Sequence, residues 1–212
     1  MEWFYHCPAC AARYAIVPGR YLCDCCAKDQ QKSRPLSGVL DVDWEGAADP
    51  AAIPLPVDAQ WFPPIPVGNT PLWAPSRLRA EFGAPNLWLK DDTCNPSGSF
   101  KDRASLLVAA FALKHGLPEI VLASTGNAAS SMAAIGAAAG LKIKVFLPAR
   151  APAAKRIQVL QYGAELIPVD GNYDQAFDLS LDYSQRSGSL SRNTAYNPLT
   201  IEGKKTVAFE IV

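Results

Sequence analysis

Lys101 is the first residue whose setting suggests chemistry. It stands in Lys90-Asp91-Asp92-Thr93-Cys94-Asn95-Pro96-Ser97-Gly98-Ser99-Phe100-Lys101-Asp102-Arg103. Asn86 to Lys90 reads as a buried strand, Asn95 to Ser99 as a turn built on Pro96 and Gly98, and Ala104 to His115 as a helix. Lys101 thus falls where a tight loop runs into a helix, and there unpaired backbone N–H groups and the helix dipole converge. A lysine opposes that dipole, so it is not placed there to favour the helix. It is also the side chain that condenses with a cofactor aldehyde. The plain alternative is that Lys101, Asp102 and Arg103 are solvated surface charges.

A second stretch, Ala123-Ser124-Thr125-Gly126-Asn127-Ala128-Ala129-Ser130, follows an apolar strand and opens a helix. Its hydroxyls and free N–H groups could hold a carboxylate or a phosphate. The same residues are also the usual helix N-caps. A third group lies at the N-terminus, where five of the six cysteines fall within the first 26 residues. Cys7-Pro8-Ala9-Cys10 and Cys23-Asp24-Cys25-Cys26 form two C-x2-C turns twelve residues apart. Two such turns bring four thiolates to one tetrahedral point, which suits structural zinc at Cys7, Cys10, Cys23 and Cys26. A redox or disulfide role is the alternative. Cys25 competes with Cys26 for the fourth place, and His6 is a possible substitute.

The elements that must position these residues alternate. Strands are expected at Leu87-Trp88-Leu89, Glu119 to Ala123, Lys142 to Leu147 and Glu165 to Val169. Helices are expected over Ala104 to His115, Asn127 to Ala139 before Gly140, Pro152 to Tyr162 before Gly163, and Tyr173 to Ser187. Strands alternating with helices of this length predict right-handed βαβ units, a parallel sheet and an α/β fold. The 124–127 loop then lies at the carboxyl edge of that sheet, where open α/β sheets bind ligands. The chain divides into a zinc-ribbon-like segment (1–30), a Pro-rich connector (31–66) and the first part of a large domain (67–115). A small α/β domain (116–200) and the start of further large-domain structure (201–212) follow. Pro35, Pro50, Pro54, Pro56, Pro63, Pro64 and Pro66 break the region from Gln30 to Pro66, with Trp44, Trp61 and Phe62 as anchors. Glu202 to Val212 is amphipathic and has no stop signal, so a longer protein is expected, of which 212 residues are an incomplete, inactive fragment.

Composition narrows the partners. The chain is 49% hydrophobic and 19% charged, enough apolar residue to bury a core. Lys+Arg and Asp+Glu balance at 20 each, which favours no polyanion such as nucleic acid. No apolar run is long enough to span a bilayer and no signal peptide is visible, so a cytoplasmic, soluble protein is expected.

Taken in order, several motifs resemble those of threonine synthases. They are Val67-Gly68-Asn69-Thr70-Pro71-Leu72, Asn95 to Arg103, Ser124-Thr125-Gly126-Asn127, and Asn197-Pro198 with Glu202-Gly203-Lys204-Lys205-Thr206. Threonine synthases are pyridoxal-phosphate enzymes of the tryptophan-synthase-β fold, fold type II, and the match runs from about Gly68 onward. The resemblance implies a three-layer parallel-sheet fold, truncated here, and a small-molecule amino-acid substrate. It implies that Lys101 forms the Schiff base with pyridoxal 5'-phosphate and shuttles protons, and that Ser99 and Phe100 wall the ring. It implies that Asn127 bonds the cofactor's phenolic oxygen. Ser124, Thr125 and the backbone at Gly126 would hold the substrate α-carboxylate, and Asn193 and Thr194 would add polar substrate contacts.

Two departures stand out. Ala128 occupies a place where the family often has Thr, and Thr200 one where it often has Arg. Both family residues help hold the phosphate of phosphohomoserine. The cofactor-phosphate loop and the group facing the pyridine nitrogen are expected beyond Val212. Within the fold, a threonine or serine dehydratase or a diaminopropionate-type ammonia-lyase would not need those phosphate contacts. From another class, a non-catalytic zinc-ribbon module joined to a degenerate α/β domain would not need Lys101 and Asn127. Enzymes of this fold are often dimers, so a homodimer is expected by analogy.

Overall fold

The computed structural model describes residues 1–28, 36–47 and 52–211, the side chain of Lys155 excepted. The connector expectations at Gln30, Pro35 and Pro50, and the chain end at Val212, lie outside these residues. The central element is a four-stranded parallel sheet of β6 (Glu119–Ala123), β7 (Lys142–Pro148), β8 (Glu165–Val169) and β9 (Leu190–Ser191), in the order β8-β7-β6-β9. Helices α2 (Lys101–Lys114), α3 (Asn127–Ala139) and α4 (Ala153–Gln161) pack with the Ile143, Val145 and Leu147 side of β7. Helix α5 (Tyr173–Ser187) covers the other side, where Phe146 meets Tyr183. Alternating side chains of one strand thus face two helical layers, which makes the expected three-layer α/β fold.

Local chemistry explains the elements. Helix α3 carries alanines on its packed face and a glycine at 136, where a Cβ would lie 2.3 Å from Ile143 Cγ1. Small residues here let the helix lie directly on β7. The helix stops at Gly140, whose φ of 67° is left-handed. Helix α5 starts with a capping box in which Asn172 and Gln175 each satisfy the other's backbone N–H.

Several expectations are corrected. The strand read over Asn86 to Lys90 is only β5 (Leu89–Lys90), paired antiparallel with β4 (Leu72–Trp73). It is not buried: Trp88 is 53% and Leu89 42% exposed. The apolar run there imitates a core strand but forms a surface hairpin. Helix α1 (Ser76–Glu81) and β9 were not anticipated, being too short to show a period. Residues 41–45, read as connector, form strand β3 (Asp41–Glu45), which pairs with β1 (Glu2–His6) beside β2 (Arg13–Tyr14). The amphipathic stretch from Glu202 is split between α6 (Leu199–Lys204) and a 3-10 helix, Lys205–Glu210.

The N-terminal sheet is fastened to the α/β layers. Tyr21 accepts the Ser191 N–H at 2.9 Å and its ring lies 4.9 Å from that of Tyr196. Lys205 lies over the rings of Trp3 (5.2 Å) and Trp44 (4.6 Å), so Trp44 does anchor onto the larger body, and Trp61 and Phe62 pack on the core as expected. No helix among the described residues is long and apolar enough to cross a membrane.

Helix α6 lies against the start of α2 at Gly203, where a Cβ would sit 2.5 Å from the Arg103 carbonyl oxygen and 3.0 Å from Ala104 Cα. Backbone cannot step aside as a side chain can, so Gly203→Ala is expected to destabilise by about 1–3 kcal/mol despite the better helix propensity of alanine. Urea denaturation followed by circular dichroism checks this; an unchanged or raised midpoint contradicts it.

Candidate active site and cysteine cluster

The two loops singled out by chemistry share one edge of the sheet. Ser124 follows β6 directly, and the parallel neighbour β9 ends beside it at Ser191. Helix α2 is joined to the start of β6 by only four residues, 115–118. So short a link puts the far end of α2, which begins at Lys101, back at the carboxyl edge. Helix α3 starts at that edge with Asn127. One turn into each helix, Ser131 of α3 donates to Ser105 of α2 at 2.7 Å. Residues four apart share a helix face, so Lys101 and Asn127 each stand one turn, about 6 Å, outward from that bond.

The Lys101 loop is built by the charged residues around it. Asp102 is fully buried, and its carboxylate accepts the Ser97 N–H at 2.7 Å and the Ser97 hydroxyl at 2.5 Å. Ser99 Oγ accepts the Lys101 N–H at 3.0 Å. Asn95 accepts the Gly68 N–H at 2.9 Å and donates to the Asp92 carbonyl at 3.1 Å. Arg103 donates through Nε and Nη2 to the two Asp92 oxygens at 2.8 Å each, and through Nη1 and Nη2 to Glu210 at 2.5 and 2.9 Å. Lys90 reaches Glu210 and the Thr70 carbonyl, both at 2.6 Å. Gly68 has φ 88°, and a Cβ there would meet Glu210 Oε1 at 2.8 Å and Arg103 Nη1 at 3.2 Å. The Gly-Asn-Thr turn therefore closes over the ion pairs. Burial opposes ionisation of Glu210, yet the bonds from Arg103 and Lys90 prevail and bring its pKa from 4.5 to about 2. Burial opposes Asp92 too, and Arg103 and Thr70 hold it below its ordinary value.

Lys101 differs from its neighbours. It is half-buried and, among the described residues, has no carboxylate partner; its Nζ lies 5.3 Å from the Phe100 ring centre. In the second loop, Ser124 is buried with its Oγ accepting the Gly126 N–H at 3.2 Å, Thr125 is half-buried and Asn127 is exposed. Beyond its own chain neighbours, no atom of the described residues lies within 4 Å of where a Cβ on Gly126 would be. Asn193 departs from the expected role of substrate contact. Its oxygen accepts the Ala123 N–H at 2.7 Å and its amide donates to Ser180 at 2.8 Å, so it clamps β9 to β6 from inside the fold. Thr194 is exposed at the edge. Thr200 is fully buried and donates to the Asn197 carbonyl at 2.8 Å, so it turns inward. The residue that sequence reasoning missed is Arg192, fully buried beneath the edge, with Nη1 2.7 Å from Thr194 Oγ1. A buried arginine carries no periodic signature of its own.

The N-terminal turns converge as expected. One sulfur each from Cys7, Cys10, Cys23 and Cys26 lie within 4.8 Å of one another. Cys25 is exposed and lies outside this group, and His6 lies outside it too, so the fourth sulfur of the group is that of Cys26. All six cysteines are free thiols. Tyr14 donates towards Cys23 Sγ at 3.2 Å and Cys26 N–H at 3.5 Å; these lower the Cys23 pKa to about 6.

Comparison with known proteins follows the same outline. Residues 65–212 match the family described as pyridoxal-phosphate dependent enzyme. The threonine synthase of Mycobacterium tuberculosis is 37% identical over 171 residues, 80% of this chain and 47% of that protein. The threonine synthase of Halalkalibacterium halodurans is 41% identical over 145 residues, 68% of this chain and 40% of that protein. The chain thus spans less than half the length of these curated relatives. Diaminopropionate ammonia lyase from Escherichia coli superposes with a TM-score of 0.62 at 21% identity, over 72% of this chain and 44% of that one. At that identity the likeness speaks for the fold alone.

The Arg103 network predicts a specific acid response. A carboxylate with a lowered folded pKa stabilises fully above its unfolded value and loses that contribution as pH falls through the folded one. For Glu210 this window runs from about pH 4.5 down to about 2. Arg103→Met is expected to cost about 3–5 kcal/mol at pH 7, because two carboxylates lose their partner, and to flatten the loss of stability across that window. Urea denaturation at pH 7, 4.5 and 3 measures both; parallel pH dependences in the two proteins contradict the assignment.

Proposed function

Because the chain belongs to the family of pyridoxal-phosphate-dependent enzymes, we propose that it serves a lyase of the threonine-synthase type, converting phosphohomoserine to threonine and phosphate. The observation that carries this reading is the division of labour in the Lys101 loop. Asp102 and Arg103 are consumed in holding the loop, and Lys101 alone is left to face the carboxyl edge. The residues fit the cofactor. An amine without a carboxylate partner among the described residues, an exposed Asn127 one turn above the Ser105–Ser131 bond, and open space at Gly126 suit a flat ring bearing an aldehyde and a phenolic oxygen.

When bound, the cofactor supplies an electron sink that makes the substrate α-hydrogen acidic. Lys101 Nζ would hold the cofactor and then carry the α-proton, since it is an amine at that edge with no carboxylate partner among the described residues. Asn127 would orient the ring, with Phe100 and Ser99 as its wall. Thr125 and the N–H groups at the start of α3 would hold the substrate α-carboxylate, helped by the helix dipole, with Ser124 bracing the turn through Gly126. A second reading, a dehydratase or ammonia-lyase acting on an uncharged side chain, draws on Ala128 and on the inward-turned Thr200, neither of which offers a phosphate contact.

Cys7, Cys10, Cys23 and Cys26 we assign to a structural zinc. Tetrahedral Zn–S bonds of about 2.3 Å separate sulfurs by about 3.8 Å, close to the observed grouping. Four thiolates crowded together also need a cation to offset their repulsion. The assigned role is to hold the N-terminal segment together, because four sulfur ligands leave no open position.

Lys101→Ala is expected to abolish the borohydride-fixable visible absorbance of the purified protein; retention of that absorbance contradicts the role of Lys101. Phosphate release from phosphohomoserine supports the leading reading, and 2-oxobutyrate from threonine supports the second. Elemental analysis is expected to give one zinc per chain, lost in Cys26→Ser and kept in Cys25→Ser. Equal loss in both variants overturns the ligand assignment.

A further inference from the structure

Strand β6 runs on past the end of its neighbour β9. Their ladder ends where Val121 faces Ser191 and the Val121 carbonyl accepts the Arg192 N–H at 2.8 Å. Two residues further on, Ala123 turns its N–H and carbonyl to that same side, but β9 has already stopped at Ser191. Ala123 is buried, and a buried backbone group left without a partner is costly. Two side chains take the place of the missing strand. Asn193 Oδ1 accepts the Ala123 N–H at 2.7 Å, and the Tyr173 hydroxyl donates to the Ala123 carbonyl at 3.3 Å. An amide oxygen and a phenol thus reproduce the acceptor and the donor that one strand residue would offer.

The phenol acts at the root of the 124–127 loop. The Ala123 carbonyl and the Ser124 N–H belong to one planar peptide unit. Its N–H is bonded to the Phe146 carbonyl of β7 at 3.2 Å, so the unit is gripped by β7 on one side and by Tyr173 on the other. The tilt of that plane sets the direction in which Ser124 leaves the sheet. Ser124 Oγ in turn accepts the Gly126 N–H at 3.2 Å, one residue before α3 begins. Tyr173 is itself well placed for this contact. It is the first residue of α5, directly after Asn172 of the capping box. Ala176, three residues on and fully buried, packs with Ala123, Phe146 and Val169 near the carboxyl ends of β6, β7 and β8. The Phe177 ring centre lies 6.5 Å from that of Tyr173. With 47% of its surface exposed, Tyr173 stands at the lip of the edge and not in the core.

We propose that Tyr173 is a positioning residue: its hydroxyl fixes the peptide plane between Ala123 and Ser124, and with it the loop that receives the substrate α-carboxylate. The proposal rests on the reading of the 124–127 loop given above. It adds to that loop a residue from α5, on the opposite face of the sheet from α3. Tyr173 acts through Ala123, so its loss changes how well the loop receives a carboxylate and leaves the proton chemistry at Lys101 in place. Every amino acid carries that carboxylate, so the effect is the same for a phosphorylated and a neutral side chain.

Tyr173→Phe removes the donor and keeps the ring. Tyr183→Phe is the control, because it removes a phenol hydroxyl from the same helix at the other end of β6, where Tyr183 donates to Glu119 at 3.0 Å. Backbone hydrogen exchange of the whole chain, with no cofactor added, reads the loop directly. In Tyr173→Phe, exchange at Ser124 and Gly126 is expected to rise about three- to tenfold, the loss of one neutral hydrogen bond, while Val121 and Leu122 keep their wild-type rates. Tyr183→Phe is expected to leave Ser124 and Gly126 unchanged. In the protein loaded with pyridoxal phosphate, KM for phosphohomoserine, or for threonine if that is turned over, is expected to rise by a similar factor in Tyr173→Phe, with kcat within about twofold. Equal exchange at Ser124 in Tyr173→Phe and the wild type, or the same rise in both variants, overturns the positioning. Faster exchange with an unchanged KM overturns its link to the substrate carboxylate, as does a fall in kcat as large as the rise in KM. Failure of the wild type to take up pyridoxal phosphate overturns the proposed function instead, and the exchange rates then judge the positioning alone.

Discussion

Arg103 joins parts of the chain that are remote in sequence. Its guanidinium meets Asp92, Thr70, Thr206 and Glu210, so the turn before β4, the Lys101 loop and the C-terminal 3-10 helix share one polar network. Such a network need not raise stability over a well-packed apolar cluster, because desolvation offsets much of the attraction. Its effect is on geometry. A planar fork with fixed donors accepts its two carboxylates in few arrangements. Lys101 lies two residues away, at the start of the same helix, and inherits that precision. Asp102 locks the loop through Ser97, so Lys101 is followed directly by two immobilised charges.

This arrangement gives the Lys-Asp-Arg sequence a physical meaning that its composition hides. Three charged residues in a row look like a solvated helix start. In the fold, Asp102 and Arg103 are 0% and 3% exposed, and only the lysine remains uncommitted. The glycine at 68 belongs to the same design. A side chain there would collide with the Arg103–Glu210 pair, so the motif around Thr70 acts on the lysine through packing rather than by contact.

Much of the sheet was legible because its strands and helices are long and regular. The bounds of β6, α3, β8 and α5 coincide with those expected from apolar periodicity and caps such as Gly140. The short elements were not, since two residues of β9 or β5 show no period, and pairing with a neighbour decides their existence. The N-terminal sheet was hidden for a related reason. Strand β3 lies within the stretch read as a Pro-rich connector and alternates charged with apolar residues, and only its ladder to β1 reveals it. Residue type singled out Lys101, Asn127 and the cysteines as candidates. What remained illegible was direction. Asn193, expected to contact substrate, spends its polar atoms inside the fold, Thr200 turns inward as well, and Arg192, which no pattern marked, is fully buried. Orientation of that kind is set by tertiary neighbours that no local pattern records.

The bond between Tyr21 and Ser191 carries a further consequence. Strand β9 lies at one edge of the parallel sheet, and its Ser191 N–H points away from β6. An open edge of this kind offers a template on which another chain can extend the sheet. The phenol of Tyr21 occupies that donor, and Tyr21 lies two residues before Cys23 of the cysteine cluster. The N-terminal segment thus covers a donor of the edge strand, and unfolding of that segment would leave the donor bare.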